Sequence, residues 1–145
     1  MLIREIVNTD LWGLLELYTQ LHDNPVPENS EYLTTLWNNI LADKNYHIIV
    51  AIENDKIVSS CVLAVIPNLT HAQRPYALIE NVITDERYSI LGCATACLDF
   101  AKNIATQNNC YKIMLLTGSK KQSTLNFYRK AGYNSEDKTA FIQWI

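Results

Sequence analysis

Ile79-Glu80-Asn81-Val82-Ile83-Thr84-Asp85-Glu86-Arg87-Tyr88-Ser89-Ile90-Leu91-Gly92-Cys93-Ala94 is the stretch on which the fold turns. Residues 76–84 have strand character, with the charge of Glu80 interrupting apolar neighbours. A short turn follows. From Leu91 the spacing predicts a helix, with Leu91, Ala94, Leu98, Ala101 and Ala105 on one face. A strand feeding directly into a helix start aims several unpaired backbone N–H groups at one spot, backed by the positive end of the helix dipole. Gly92 lets a ligand approach the main chain closely, so the joint suits a pyrophosphate. The same residues also fit a plain helix start in which Gly92 only relaxes a tight turn.

Upstream, residues 2–7 read as a first strand, and Thr9 or Asp10 can cap a helix running to about His22. The Asp23-Asn24-Pro25-Val26-Pro27 stretch breaks it, and a second helix is expected over residues 30–41. Residues 46–53 and 57–66 read as two strands joined by the tight turn Glu53-Asn54-Asp55-Lys56. Downstream, residues 111–116 form a short apolar strand, and residues 119–129 a helix stopped by Gly132. Residues 139–145 are expected to close the chain as a further strand. The order β-α-α-β-β-β-α-β-α-β describes a mixed α/β sandwich over residues 1–145.

Composition bounds the function. A chain of 145 residues with 48% hydrophobic and 19% charged residues is expected to form one compact domain, not a disordered polymer or a repeat array. No apolar run approaches the roughly 20 residues of a spanning helix, and Arg4, Glu5 and Asp10 interrupt the start. A soluble, cytoplasmic protein with no membrane partner is therefore expected. The net charge of −3 does not recruit nucleic acid. Cys61, Cys93, Cys97 and Cys110 show no Cys-x-x-Cys pair, and the three histidines are scattered. Reduced, buried thiols and no metal site are the expectation.

The strand-to-helix joint resembles the acyl-CoA-binding motif of the GNAT superfamily of N-acetyltransferases, Arg/Gln-x-x-Gly-x-Gly/Ala following a strand of the form Glu-Asn-Val-Val. Asn126-Phe127-Tyr128-Arg129-Lys130-Ala131-Gly132-Tyr133 is similar to that family's Phe-Tyr-x-Lys-x-Gly-Phe helix end. Motif agreement covers roughly residues 76–145, and the element order agrees over the whole chain. The resemblance implies an α/β, single-domain GNAT fold. Its sheet is mixed but mostly antiparallel, with a splay between strands 4 and 5, and helices flank it. It also implies that acetyl-CoA is the acyl donor. The backbone of Val82, Ile83 and Thr84 would meet the pantetheine arm. The pyrophosphate would lie on Ser89 and on Ile90, Leu91, Gly92, Cys93, Ala94 and Thr95.

Two positions depart from the family's pattern. Ser89 stands where Arg or Gln is usual, which keeps a hydroxyl donor but gives up reach and charge. Arg87, Lys120 and Lys121 are candidates to compensate. Lys121 itself stands where many members carry Asn. A degenerate site would leave a non-catalytic acyl-CoA-binding module, the rival to an enzyme.

Acetyl transfer to an amine needs a base for the ammonium and an acid for the leaving thiolate. Glu80 is the candidate base, because an acceptor cleft would desolvate this carboxylate and tune it for proton transfer. The resemblance places Tyr128 near the thioester sulfur. A phenol, with an ordinary pKa of about 10, can donate a proton there at neutral pH. No cysteine has a nucleophile's setting, so direct attack by the amine is expected. Trp12, Tyr18, Tyr32, Trp37, His71 and Arg74 lie in the elements that would frame the acceptor, a small-molecule or peptide amine. Phe141, Trp144 and Ile145 would either pair with a second subunit, giving a homodimer, or fill the chain's own core.

Overall fold

The computed structural model describes residues 1–145. Contacts divide them into two compact units, residues 1–114 and residues 115–145.

The first unit is built on strands β1 (Leu2–Glu5), β2 (Tyr46–Glu53), β3 (Lys56–Ile66) and β4 (Tyr76–Thr84), paired in that order and antiparallel. The short strand β5 (Ile113–Leu115) runs parallel to β4 and completes a mixed five-stranded sheet. It joins at the start of β4, where Tyr111 N–H donates to Pro75 O and Ala77 N–H donates to Lys112 O, each at 3.0 Å. Three residues cannot pair with nine, so the far half of β4 keeps an edge that β5 does not cover.

Alternation along the strands sorts their side chains onto two faces. Ile48, Val50 and Val62 point to one face, where Leu14 of α1 (Leu11–Tyr18) and Trp37 of α2 (Glu31–Ala42) pack on them. Ser30 caps α2, its Oγ accepting from Leu33 N–H at 3.1 Å. Ile49, Cys61, Leu63 and Ile79 point to the other face, against helix α4 (Cys93–Gln107). There the Cys61 thiol reaches Cys97 O at 3.6 Å, and Cys97, Leu98, Ala101 and Ala105 form the buried stripe. All four cysteines are free thiols.

Asp10 does not cap α1 through its side chain. It is buried, accepts from both terminal nitrogens of Arg4 at 2.6 and 3.1 Å, and accepts from Val7 N–H at 2.7 Å. Between β3 and β4, the single turn α3 (Thr70–Gln73) holds His71, Ala72 and Gln73 in the left-handed region, with φ of 53°, 58° and 59°.

The second unit contains helix α5 (Gln122–Lys130). Its end is closed by Gly132 at φ 96°, with Tyr133 N–H donating to Tyr128 O at 3.0 Å. The expected strand over residues 139–145 does not form, and Phe141, Ile142, Trp144 and Ile145 are exposed. A strand is defined by its ladder, and this tail has no partner strand. The apolar tail residues therefore do not fill a core in this chain.

Candidate active site

Strand β4 carries an irregularity that its sequence conceals. Ser60 pairs with Ile83 and Val62 pairs with Glu80, so Asn81 and Val82 together oppose the single residue Cys61. This is a β-bulge, and Asn81 takes its left-handed position at φ 51°. Asparagine is among the few side chains that adopt this conformation readily. The bulge keeps Glu80, opposite Val62, on the α1–α2 face of the sheet.

Glu80 and Asn81 are both solvent-exposed, so Glu80 is not enclosed in the way an acceptor cleft would require. Tyr46 at the start of β2 and Tyr18 at the end of α1 pack on the same face. Burial raises the Tyr46 phenol above its ordinary value, and the Glu80 carboxylate raises it further. Burial pushes the Tyr18 phenol up to about 12, partly offset by the side chains of Ser60 and Asn81. Tyr46 was absent from the sequence-derived residues, although it lies two residues before Ile48 and so shares its face.

Val82, Ile83 and Thr84 follow the bulge. The Ser59 hydroxyl donates to Ile83 O at 2.9 Å and meets Thr84 Oγ1 at 2.7 Å, so that hydroxyl is already engaged. Asp85 N–H then donates to Val58 O, and Glu86 N–H donates to Gln20 Oε1, tying the turn to β3 and to the chain just beyond α1. Ser89 and Ile90 are exposed, and Leu91 N–H is spent on Tyr88 O.

Helix α4 begins two residues later than Leu91, at Cys93, with Gly92 as its left-handed N-cap at φ 73°. No side chain caps this end. The N–H groups of Cys93, Ala94 and Thr95 therefore have no intrahelical acceptor, and nothing lies within 4 Å of a Cβ placed on Gly92. Open donors, a helix dipole and free space fit an anionic diphosphate. The Cys93 side chain is buried and its thiol raised by that burial, so only its main chain belongs to this cradle.

Arg87 does not supply the charge that Ser89 lacks. Its Nε and Nη2 both donate to the Asp85 carboxylate, at 3.0 and 2.6 Å, which holds that carboxyl well below its usual range. Arg74 donates from Nε to Asn109 O and from Nη2 to Cys110 O, both at 3.1 Å, and His71 stacks on Tyr111 with ring centroids 3.9 Å apart. Trp37 is buried and its Nε1 donates to Asn8 O, a packing role, while Trp12 and Tyr32 are exposed.

Within the second unit, Tyr128 lies on α5 and meets Phe127 and Tyr133 edge-on, with centroids 5.0 and 6.3 Å apart. Lys120 and Lys121 precede that helix and are exposed.

Residues 11–133 match the sequence model of the acetyltransferase (GNAT) family. A protein of Agrobacterium tumefaciens str. C58, classed as an acetyltransferase by inference, has a similar structure. Its TM-score is 0.90 and its identity 35%, with 99% of this chain and 100% of that one covered. Glucosamine-6-phosphate N-acetyltransferase of Arabidopsis thaliana is similar in fold at TM-score 0.83 and 20% identity, covering 99% and 98%. An aminoglycoside N-acetyltransferase in complex with CoA is similar in fold at TM-score 0.77 and 13% identity, covering 99% and 98%.

Proposed function

We propose, for a chain that belongs to the acetyltransferase (GNAT) family, that it moves an acetyl group from acetyl-CoA to a primary amine by direct attack. The observation that carries this reading is the uncapped start of α4, where left-handed Gly92 leaves backbone donors and open space together. Acetyl-CoA supplies an activated thioester. The Cys93, Ala94 and Thr95 amides bind its diphosphate, and the edge of β4 from Val82 to Thr84 orients its pantetheine arm.

Glu80 takes a proton from the acceptor ammonium, directly or through water, and frees the nitrogen lone pair. The new N–C bond forms as the C–S bond breaks. The Tyr128 hydroxyl gives its proton to the departing sulfur, and the second proton shed by the new amide nitrogen returns through solvent to the Tyr128 oxygen. Buried free thiols at Cys61, Cys93 and Cys97 suit a reducing compartment, and we assign the protein to the cytoplasm. No helix is long and apolar enough to cross a membrane. Residues 1–145 act as one acetyltransferase domain in this reading, and the exposed Phe141, Trp144 and Ile145 offer a contact for a homodimer.

Calorimetric titration with acetyl-CoA tests the proposal. Saturable binding is expected, and Gly92→Glu should abolish it by placing a carboxylate in the cradle. Tyr128→Phe should bind acetyl-CoA as the parent does and lose turnover. Binding with unchanged turnover in Tyr128→Phe removes the acid role. Binding without turnover of any amine supports the non-catalytic module instead. No binding at millimolar acetyl-CoA overturns the reading.

A further inference from the structure

The loop between β3 and β4 holds the longest left-handed run of the chain, His71, Ala72 and Gln73 at φ 53°, 58° and 59°. Residues other than glycine visit that region singly, because Cβ crowds the following carbonyl oxygen. A run of three persists only where its surroundings hold it.

The hold is a set of side-chain contacts to the chain just before β5. Arg74 donates to Asn109 O and Cys110 O, both at 3.1 Å, and His71 lies flat on Tyr111, with 9° between the ring planes. Asn68 Nδ2 donates to Thr70 O at 3.1 Å and to Arg74 O at 3.2 Å, across the base of the turn. Residues 69–73 are all exposed, so core packing adds nothing to this hold.

The ring that His71 covers belongs to Glu80's face of the sheet. Tyr111 meets Tyr76 edge-on at 6.3 Å. Tyr76 pairs with Ile66 and Glu80 with Val62, so both point to one face, about 13 Å apart along β4.

We propose that residues 69–74 are a strap that opens as a unit while the sheet stays folded. Opening lifts His71 off Tyr111 and Arg74 off the Asn109 and Cys110 carbonyls. Backbone strain favours that opening and the two latches oppose it, so the arrangements lie close in free energy. The open strap bares the Tyr111 ring and the Cys110 thiol. In a role that rests on the acetyltransferase reading, it gates the end of the Glu80 row that lies away from the cofactor cradle.

Maleimide labelling of Cys110, followed by mass spectrometry without cofactor or amine, tests this. Ala72→Gly relieves left-handed strain and should slow labelling about five-fold. His71→Ala removes a latch and should quicken it about five-fold. A local opening exposes little surface, so urea below the unfolding midpoint should hardly change the Cys110 rate. The buried Cys61, Cys93 and Cys97 should speed up steeply with urea. Cys110 labelling that ignores either substitution, or that rises with urea in step with the buried thiols, overturns the strap alone. Failure to bind acetyl-CoA overturns the parent reading and the gating role with it, and leaves the opening itself standing.

Discussion

Gly92 and Asn81 both hold left-handed backbone, yet they tolerate change differently. At Gly92 the surrounding space is open, so the penalty for a side chain is conformational. Gly92→Ala should cost about 1 kcal/mol of stability in thermal denaturation. Gly13 is the opposite case. It lies inside α1, and an added Cβ meets Ile57 Cδ1 at 3.5 Å, an ordinary contact. Gly13→Ala should therefore stabilise the protein by about 0.5–1 kcal/mol, read as a Tm rise of roughly 2–4 °C. With Glu80 as the proposed base, Glu80→Gln should lower kcat about 10²–10⁴-fold while acetyl-CoA affinity holds.

At the scale of elements, α4 ties the sheet together through its buried stripe. Leu98→Ala should cost about 2–5 kcal/mol in urea denaturation, because the sheet beneath cannot collapse into the space. This helix and strands β2, β3 and β4 were legible in the sequence because long apolar runs and a clear helical stripe need no knowledge of neighbours. The bulge at Asn81 was not legible, since it exists only as a mismatch in residue count between two paired strands. The tail over residues 139–145 misled for the same reason, its composition being suited to a strand whose partner no local pattern specifies. Asp10 looked like a helix cap, but a guanidinium six residues earlier in the chain claims it. Glu80 and Gly92 stood out in the sequence as candidates, one a charge among apolar strand residues and the other a glycine before a helix, whereas Tyr46 needed the strand register to bring it to Glu80's face.

For the whole molecule, two carboxyls set the acid limit. Burial alone would raise Asp10, but the Arg4 hydrogen bond and the Val7 N–H outweigh it and hold it below its usual range, as Arg87 does for Asp85. Both folded values lie below the unfolded value of about 3.9. Their stabilisation is complete above that pH and is lost as pH falls through the folded values. Chemical denaturation at about pH 6 and pH 3 should show this loss, and Arg4→Ala should show a smaller one. The cysteines add a consequence at the same scale. Cys61, Cys93 and Cys97 are sealed, with Cys97 pushed up to about 11 by burial, while Cys110 is only half-buried. A maleimide dye should attach first at Cys110 alone, and the other three sulfurs should react only as quickly as the fold opens. The protein thus carries its own stopwatch for opening, and a single addressable handle beside the left-handed turn, without any engineered residue.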